Sequence, residues 1–536
     1  MSRRISRASI ALSLLIVLAG CSGGGSLFNP NVGEDSSSTE SATAEGIGQE
    51  NGTGPPVAVA TPDSDFSDPA GDPLGWEAGY WYNESIEVDQ ADGLTDAEMK
   101  AYVGRAMARV EYLRQLEFKS SVPVSVISRS EYRSQRDEST RSSENQEFQQ
   151  WNNQVWEALF AVGESESTQQ AIEETRGSSV AGFYDPRDDA ITIVTDTPDT
   201  PTIENTTLIH ELVHAVQDQQ YDLTKDRYAA TTQDGQLATD GLIEGDARYV
   251  ESAYGDRCGS SWECVELPDD TGEDSGSSGG PSNLGIFVTI FQPYSDGVGY
   301  INHLRESGGW DAVNDRFKSP PVASEQVIHR TDETPQPISY TDRSSAKWER
   351  FESVGQDGSD TVGEASIFVM FWNQARTVGA ETVRPQTLTQ PTNQYDAYNY
   401  IADPSTGWEN DRLFPYQTQN GVSTESESES ESESESESEY GYVWVTTWES
   451  NEDATEFRNA YRSILTARDA TTPQRVESEN TGSTAKTAKT TTYVIPDGSY
   501  ADAFRVTQDG TQVTIVNGPN VTSLDNIRAQ SKPSSA

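Results

Sequence analysis

Residues 207–220 read TLIHELVHAVQDQQ and hold two of the four histidines in the 536-residue chain. On a helix, positions four apart lie about 40° apart in projection, so His210 and His214 point the same way. A single Zn²⁺ can take one nitrogen from each ring. Glu211 lies beside them, placed to accept the proton of an attacking water and pass it to a leaving amine. Leu208, Ile209, Leu212, Val213 and Val216 make the rest of the helix apolar, so it is expected to be buried. Two histidines and a glutamate in such a helix cost several kcal/mol if unpaired. The alternative is a pair of satisfied core histidines.

A catalytic zinc needs a third protein ligand. The extended motif of metzincins would put glycine at 217 and histidine at 220, but these are Gln217 and Gln220. His303 and His329 lie far downstream. A carboxylate from the next helix, expected over 237–253, is the better choice, and LIEGDARYVE supplies Glu244. Asp240 is expected to cap that helix, and Gly245 to let the two helices approach closely.

Working outward, a helix is expected over 95–116, with Thr95 as cap and acids in its first turn. VPVSVI at 122–127 reads as a strand, 145–162 as a helix, and AGFYDPRDDAITIV at 181–194 as a hairpin. Three helices fit 284–292, 296–306 and 310–318, and another covers 362–376. Beyond STESESESESESESESE, a low-complexity tract at 423–439, YGYVWVTTW, TTYVIP and TQVTIVNG read as strands and DATEFRNAYRSIL as a helix. GWENDRLFPY at 407–416 is already strand-like. The expected organisation is a leader at 1–20, a disordered tether at 21–75, a main domain at 76–400 and a small α+β domain at 401–536 carrying the Glu/Ser insert.

Net charge is −50, and only eight of the 37 basic residues are lysines. Such a field repels nucleic acid and anionic membrane surfaces. The excess is spread along the chain, as in proteins adapted to near-saturating salt, where the Debye length is short. The acidity therefore describes a halophilic habitat rather than an activity.

The first residues, MSRRISRASIALSLLIVLAGCSGGG, have a basic start, a short apolar run and a lipoprotein-like box ending at Cys21. The run is too short for a stable membrane span. Cys21 is expected to be lipidated on the outer face of the cell membrane, with the paired arginines suggesting twin-arginine export; the alternative is a plain membrane anchor. Cys258 and Cys264, six positions apart, favour an extracellular disulfide over half of a metal site. Asn51, Asn83, Asn205 and Asn520 begin glycosylation sequons.

HELVHAVQDQQ resembles the active-site helix of gluzincin metallopeptidases of the thermolysin type. GFYDPRDDAITIV, GLIEGDARYVE and QPYSDGVGYINHLRESGGWDAVNDRFKSPPVASEQVIH resemble a set of largely uncharacterised prokaryotic surface proteins, including lipoproteins of halophilic archaea. The likeness covers roughly 180–330, more weakly VGEASIFVMFWNQ and GWENDRLF, and is specific for a zinc fold rather than a substrate. It implies a zincin-like α+β domain in which His210, His214 and Glu244 bind zinc and Glu211 is the general base. Ala190–Val194 would be the edge strand along which a polypeptide substrate pairs. Two departures stand out. The gap from His214 to Glu244 is long, implying an inserted loop at 221–236. The residue four after Glu244, often an acid that orients the first histidine, is Arg248; Asp246 or Asp218 would take over that task. For the oxyanion donor a peptidase needs, His329 is the first choice and Tyr294 the second. The reading is an extracellular, lipid-anchored zinc metallopeptidase. The alternative is a zinc-binding surface protein without turnover, acting in adhesion or envelope assembly.

Overall fold

The computed structural model describes residues 59–142, 146–176, 180–268, 281–419, 438–472 and 488–530. Cys21, the leader, Asn51 and most of the Glu/Ser tract lie outside these residues. The fold is α+β. A ribbon of β1 (Trp76–Glu77) and β2 (Tyr80–Trp81) leads into α1 (Asp96–Arg114). The Thr95 hydroxyl accepts from the Glu98 amide while the Glu98 carboxylate accepts from the Thr95 amide, a reciprocal cap that starts α1 where the sequence places it.

Then come β3 (Val124–Ser128), α2 (Arg129–Ser142), α3 (Gln146–Ala158) and α4 (Thr168–Arg176). β4 (Gly182–Asp185) and β5 (Ala190–Thr195) make the hairpin. β3 pairs with β5 in parallel, giving the order β3-β5-β4. This corrects the expected place of Ala190–Val194: it is the central strand, with both backbone edges used. The edge beside the histidine helix is β4.

That helix is α5 (Asn205–Tyr221), followed by α6 (Gln233–Gly255), α7 (Leu284–Lys318) and the short α8 (Ser324–Ile328). Leu208, Ile209, Leu212, Val213 and Val216 of α5 join Leu242, Ile243, Val250, Tyr300 and Ile301 in one apolar core, so α5 is covered on all sides. Two expectations change here. Thr232, not Asp240, caps α6, and Asp240 sits inside the helix accepting from Gln236. Of the segments expected over 284–318, the first two are one continuous helix that runs through Pro293, while the expected break before 310 is present, Gly308 and Gly309 leaving helical geometry.

The rest of the chain builds β6 (Trp348–Arg350), α9 (Gly363–Val378), β7 (Trp408–Thr418), β8 (Tyr440–Trp448), α10 (Asn451–Ala467), β9 (Lys489–Val494), β10 (Ala503–Asp509), β11 (Gln512–Gly518) and α11 (Val521–Ile527). Its sheet runs β6-β7-β8-β11-β10-β9, antiparallel throughout. Period-two alternation sends Tyr442 and Trp444 to Phe457 and Tyr461 of α10, and Val443 and Val445 to Leu524 and Ile527 of α11. Both faces are covered, which is why YVWV is apolar without interruption. Asp411 of β7 accepts from the amides of Val362 and Gly363 and from the indoles of Trp408 and Trp444, tying the start of α9 to the sheet.

Cys258 and Cys264 are joined by a disulfide whose loop buries Trp262 against Tyr82, Tyr112 and Tyr254, with the Arg109 guanidinium 4.7 Å from the Trp262 ring. Replacing Cys258 with Ser is expected to lower stability by about 2 kcal/mol, the loop-closure contribution of so short a ring, measured by denaturant unfolding of the two forms. The Asn205 amide donates to Val265 O at 2.5 Å, so that sequon nitrogen is committed inside the fold. Among the described residues no helix is long and apolar enough to cross a membrane.

Candidate metal centre

One turn of α5 separates His210 and His214, whose ring centroids are 4.7 Å apart. Glu244 comes across from α6. Its Oε2 lies 3.0 Å from His210 Nε2 and 3.4 Å from His214 Nε2, so both imidazoles aim the same nitrogen at one carboxylate. His210 and His214 are 0% exposed and Glu244 3%. The ligand atoms lie within 4.8 Å of one another, a buried group that could hold a metal ion. Burial opposes ionisation of Glu244, but the two imidazoles prevail and hold its carboxyl down at about 2. The same carboxylate and Glu251 raise the affinity of His210 for a proton against the effect of burial.

The outward nitrogens are held separately. His210 Nδ1 lies 3.1 Å from Glu251 Oε2, and Arg248 Nη1 donates to the other oxygen of Glu251 at 2.7 Å. His214 Nδ1 lies 3.0 Å from Gln217 Oε1. With both Nδ1 atoms facing acceptors, each ring can keep a proton there, and Nε2, the nitrogen aimed at Glu244, is the one that can give up its proton to a metal. His214 Nε2 has no hydrogen-bond partner, since 3.4 Å to Glu244 is too long for a good one. A buried nitrogen left open beside a second imidazole and a carboxylate suits a divalent cation of zinc type.

Glu211 is fully buried, and no side chain is hydrogen-bonded to either of its oxygens. Burial pushes its carboxyl up to about 8; His214 and the Tyr184 backbone oppose the rise, and Glu244 and Glu251 add to it. Tyr294 of α7 lies face-on to His210, 6.4 Å between ring centroids. The first-choice oxyanion donor, His329, has its Nε2 bonded at 2.9 Å to the buried carboxylate of Glu364. Asp218 accepts from the Tyr184 hydroxyl at 2.9 Å and the Leu223 amide at 2.7 Å, which fixes the end of α5 and orients neither histidine. Asp246 acts one residue removed, through Gln217, whose Nε2 donates to it at 3.0 Å.

Sequence reasoning missed Glu251 and Gln217. Glu251 was legible as the residue seven after Glu244, two turns along the same face of α6. Gln217 carries no comparable signal, standing out in the sequence only as a position where a metzincin has glycine.

Residues 349–528 match a family model described as Domain of unknown function (DUF8575). That span begins in β6, contains the rest of the six-stranded sheet and leaves out the trio. No curated protein and no solved structure matches the chain.

Proposed function

We propose that this chain is a zinc metallopeptidase of gluzincin type with a zincin-like catalytic unit, held on the outer face of the cell membrane by lipid at Cys21. The observation that supports this best is Glu211, a buried carboxyl with no side-chain partner, on the same helix as two imidazoles whose Nε2 atoms converge on Glu244. A fold does not keep such a group for stability, because an unpartnered buried carboxyl costs free energy. Zinc, when bound, supplies the Lewis acidity that activates water and polarises a carbonyl. Glu211 takes the proton from the attacking water and delivers it to the leaving amine. Tyr294 is the side chain placed beside His210 to donate to the developing oxyanion. The polypeptide substrate pairs along the outer edge of β4, whose Tyr184 backbone faces Glu211.

A second reading, a zinc-binding surface protein for adhesion or envelope assembly, is favoured by one observation: His210, Glu211 and His214 are all 0% exposed. Structural zinc sites are closed in this way. Hydrolysis separates the two readings. Protein purified without chelators in concentrated salt is expected to carry one zinc per chain and to cleave an unfolded protein. Chelation should stop cleavage and added zinc restore it. Stoichiometric zinc with no cleavage would support the second reading.

A further inference from the structure

We propose that Gln217 is a positioning residue that fixes His214 in the tautomer able to take a metal, and that Asp246 and Arg114 fix Gln217 in turn. This rests on the metal-binding half of the reading above and requires no peptidase activity. A neutral imidazole carries one N–H, and the nitrogen that carries it cannot be a ligand. Gln217 Oε1, 3.0 Å from His214 Nδ1, keeps the proton on Nδ1 and the lone pair on Nε2. An amide, however, has two faces. Turned over, Gln217 would offer N–H to Nδ1, shift the proton to Nε2 and close that nitrogen to a metal.

The surroundings forbid the turn. Gln217 Nε2 donates to Ile243 O and to Asp246 Oδ2, each at 3.0 Å. Reversal would set Gln217 Oε1 against two acceptors where no water competes, since Gln217 and Asp246 are fully buried. Asp246 is held by Arg114 Nε at 2.8 Å, and the Arg114 guanidinium lies over Trp310 at 4.2 Å. The chain of bonds therefore runs from the end of α1 through α6 and α5 to the metal centre. His210 needs no such chain, because the Glu251 carboxylate only accepts and reads the same either way round. A carboxylate at 217 would have faced Asp246 as a like charge, which accounts for an amide at this position and the orienting residues behind it.

The test compares the wild-type chain, Gln217→Met, and the exchange Gln217→Glu with Asp246→Asn. Zinc affinity is read by competition with a chelating dye, cobalt(II) geometry by visible absorption, and folding by thermal unfolding without metal. Gln217→Met keeps the volume and removes the acceptor, and should weaken zinc about 10–100-fold and alter the cobalt spectrum. In the exchange, the new amide at position 246 donates to the new carboxylate at position 217, which accepts from His214 Nδ1. The oxygen that replaces Gln217 Nε2 still faces Ile243 O, so part of the affinity, together with the wild-type cobalt spectrum, should return. A role in packing alone would not produce that rescue. A folded Gln217→Met that binds zinc as tightly as wild type overturns the proposal, and so does a folded exchange variant that binds as weakly as Gln217→Met. If wild type binds no zinc, the metal-centre reading itself fails, and this proposal with it.

Discussion

Replacing Glu211 with Gln is expected to stop hydrolysis of an unfolded protein while zinc stays bound at one per chain. Nothing else in the centre depends on this carboxylate. No side chain is hydrogen-bonded to either oxygen, and the Tyr184 backbone that faces them can be met equally by an amide oxygen, so the substitution disrupts nothing there, and Glu251, Gln217 and Glu244 still hold the imidazoles. The amide also removes a buried ionisable group whose carboxyl is pushed up to about 8, so metal-free stability should not fall. What the amide cannot do is accept a proton. A positioned general base contributes about 10²–10⁴-fold, or roughly 3–5 kcal/mol of barrier. Zinc content and initial rate on the same preparation decide the matter. Full activity in the variant sinks the proposed role of Glu211. Loss of zinc along with activity would instead make Glu211 a ligand.

The centre was legible where chemistry is local and illegible where it depends on which helices meet. His210 and His214 follow from helical periodicity, and the requirement for a third ligand on a second helix leads to Glu244. The cap of α1 is likewise written in Thr95 and Glu98. Glu251 and Gln217 orient the ligands only because α6 crosses α5 at one angle and depth, and a single sequence does not state that angle. The hairpin was readable from its alternation and turn. The position of β5 was not, because its second neighbour is β3, parallel and lying before the hairpin in the chain, and a period of two records burial rather than strand order. The two breaks expected within 284–318 met different fates. Gly308 and Gly309 do leave helical geometry, whereas Pro293 stays inside the helix, where packing of α7 against α6 and α9 overrides its local preference.

The tight contact between α6 and α7 carries the second large effect. Gly245 faces Gly297 of α7, not α5, and a Cβ built at 245 would lie 2.5 Å from both C and O of Gly297. The converse holds too, since a Cβ at 297 would run into Gly241 O and lie 2.8 Å from Gly245 Cα. These are backbone atoms, which no rotamer change can move aside. Gly245→Ala must therefore push α6 and α7 apart. In the interior of a helix the substitution alone would gain about 1 kcal/mol. Overpacking of a tight core contact costs about 1–3 kcal/mol and sometimes more, and here the strain falls on two long helices at once. A net loss of about 2 kcal/mol is expected in denaturant unfolding, and zinc affinity should fall with it. The coupling is geometric: α6 carries Glu244, the residue before the clash, and α7 carries Tyr294, stacked against His210. Gly255→Ala is the control, at the last residue of the same helix with nothing within 4 Å of its Cβ, and should leave stability and zinc unchanged. If Gly245→Ala behaves like the control, α6 and α7 do not meet this closely. If it lowers stability but leaves zinc affinity intact, the trio is held by α5 and Glu244 without help from the contact between α6 and α7.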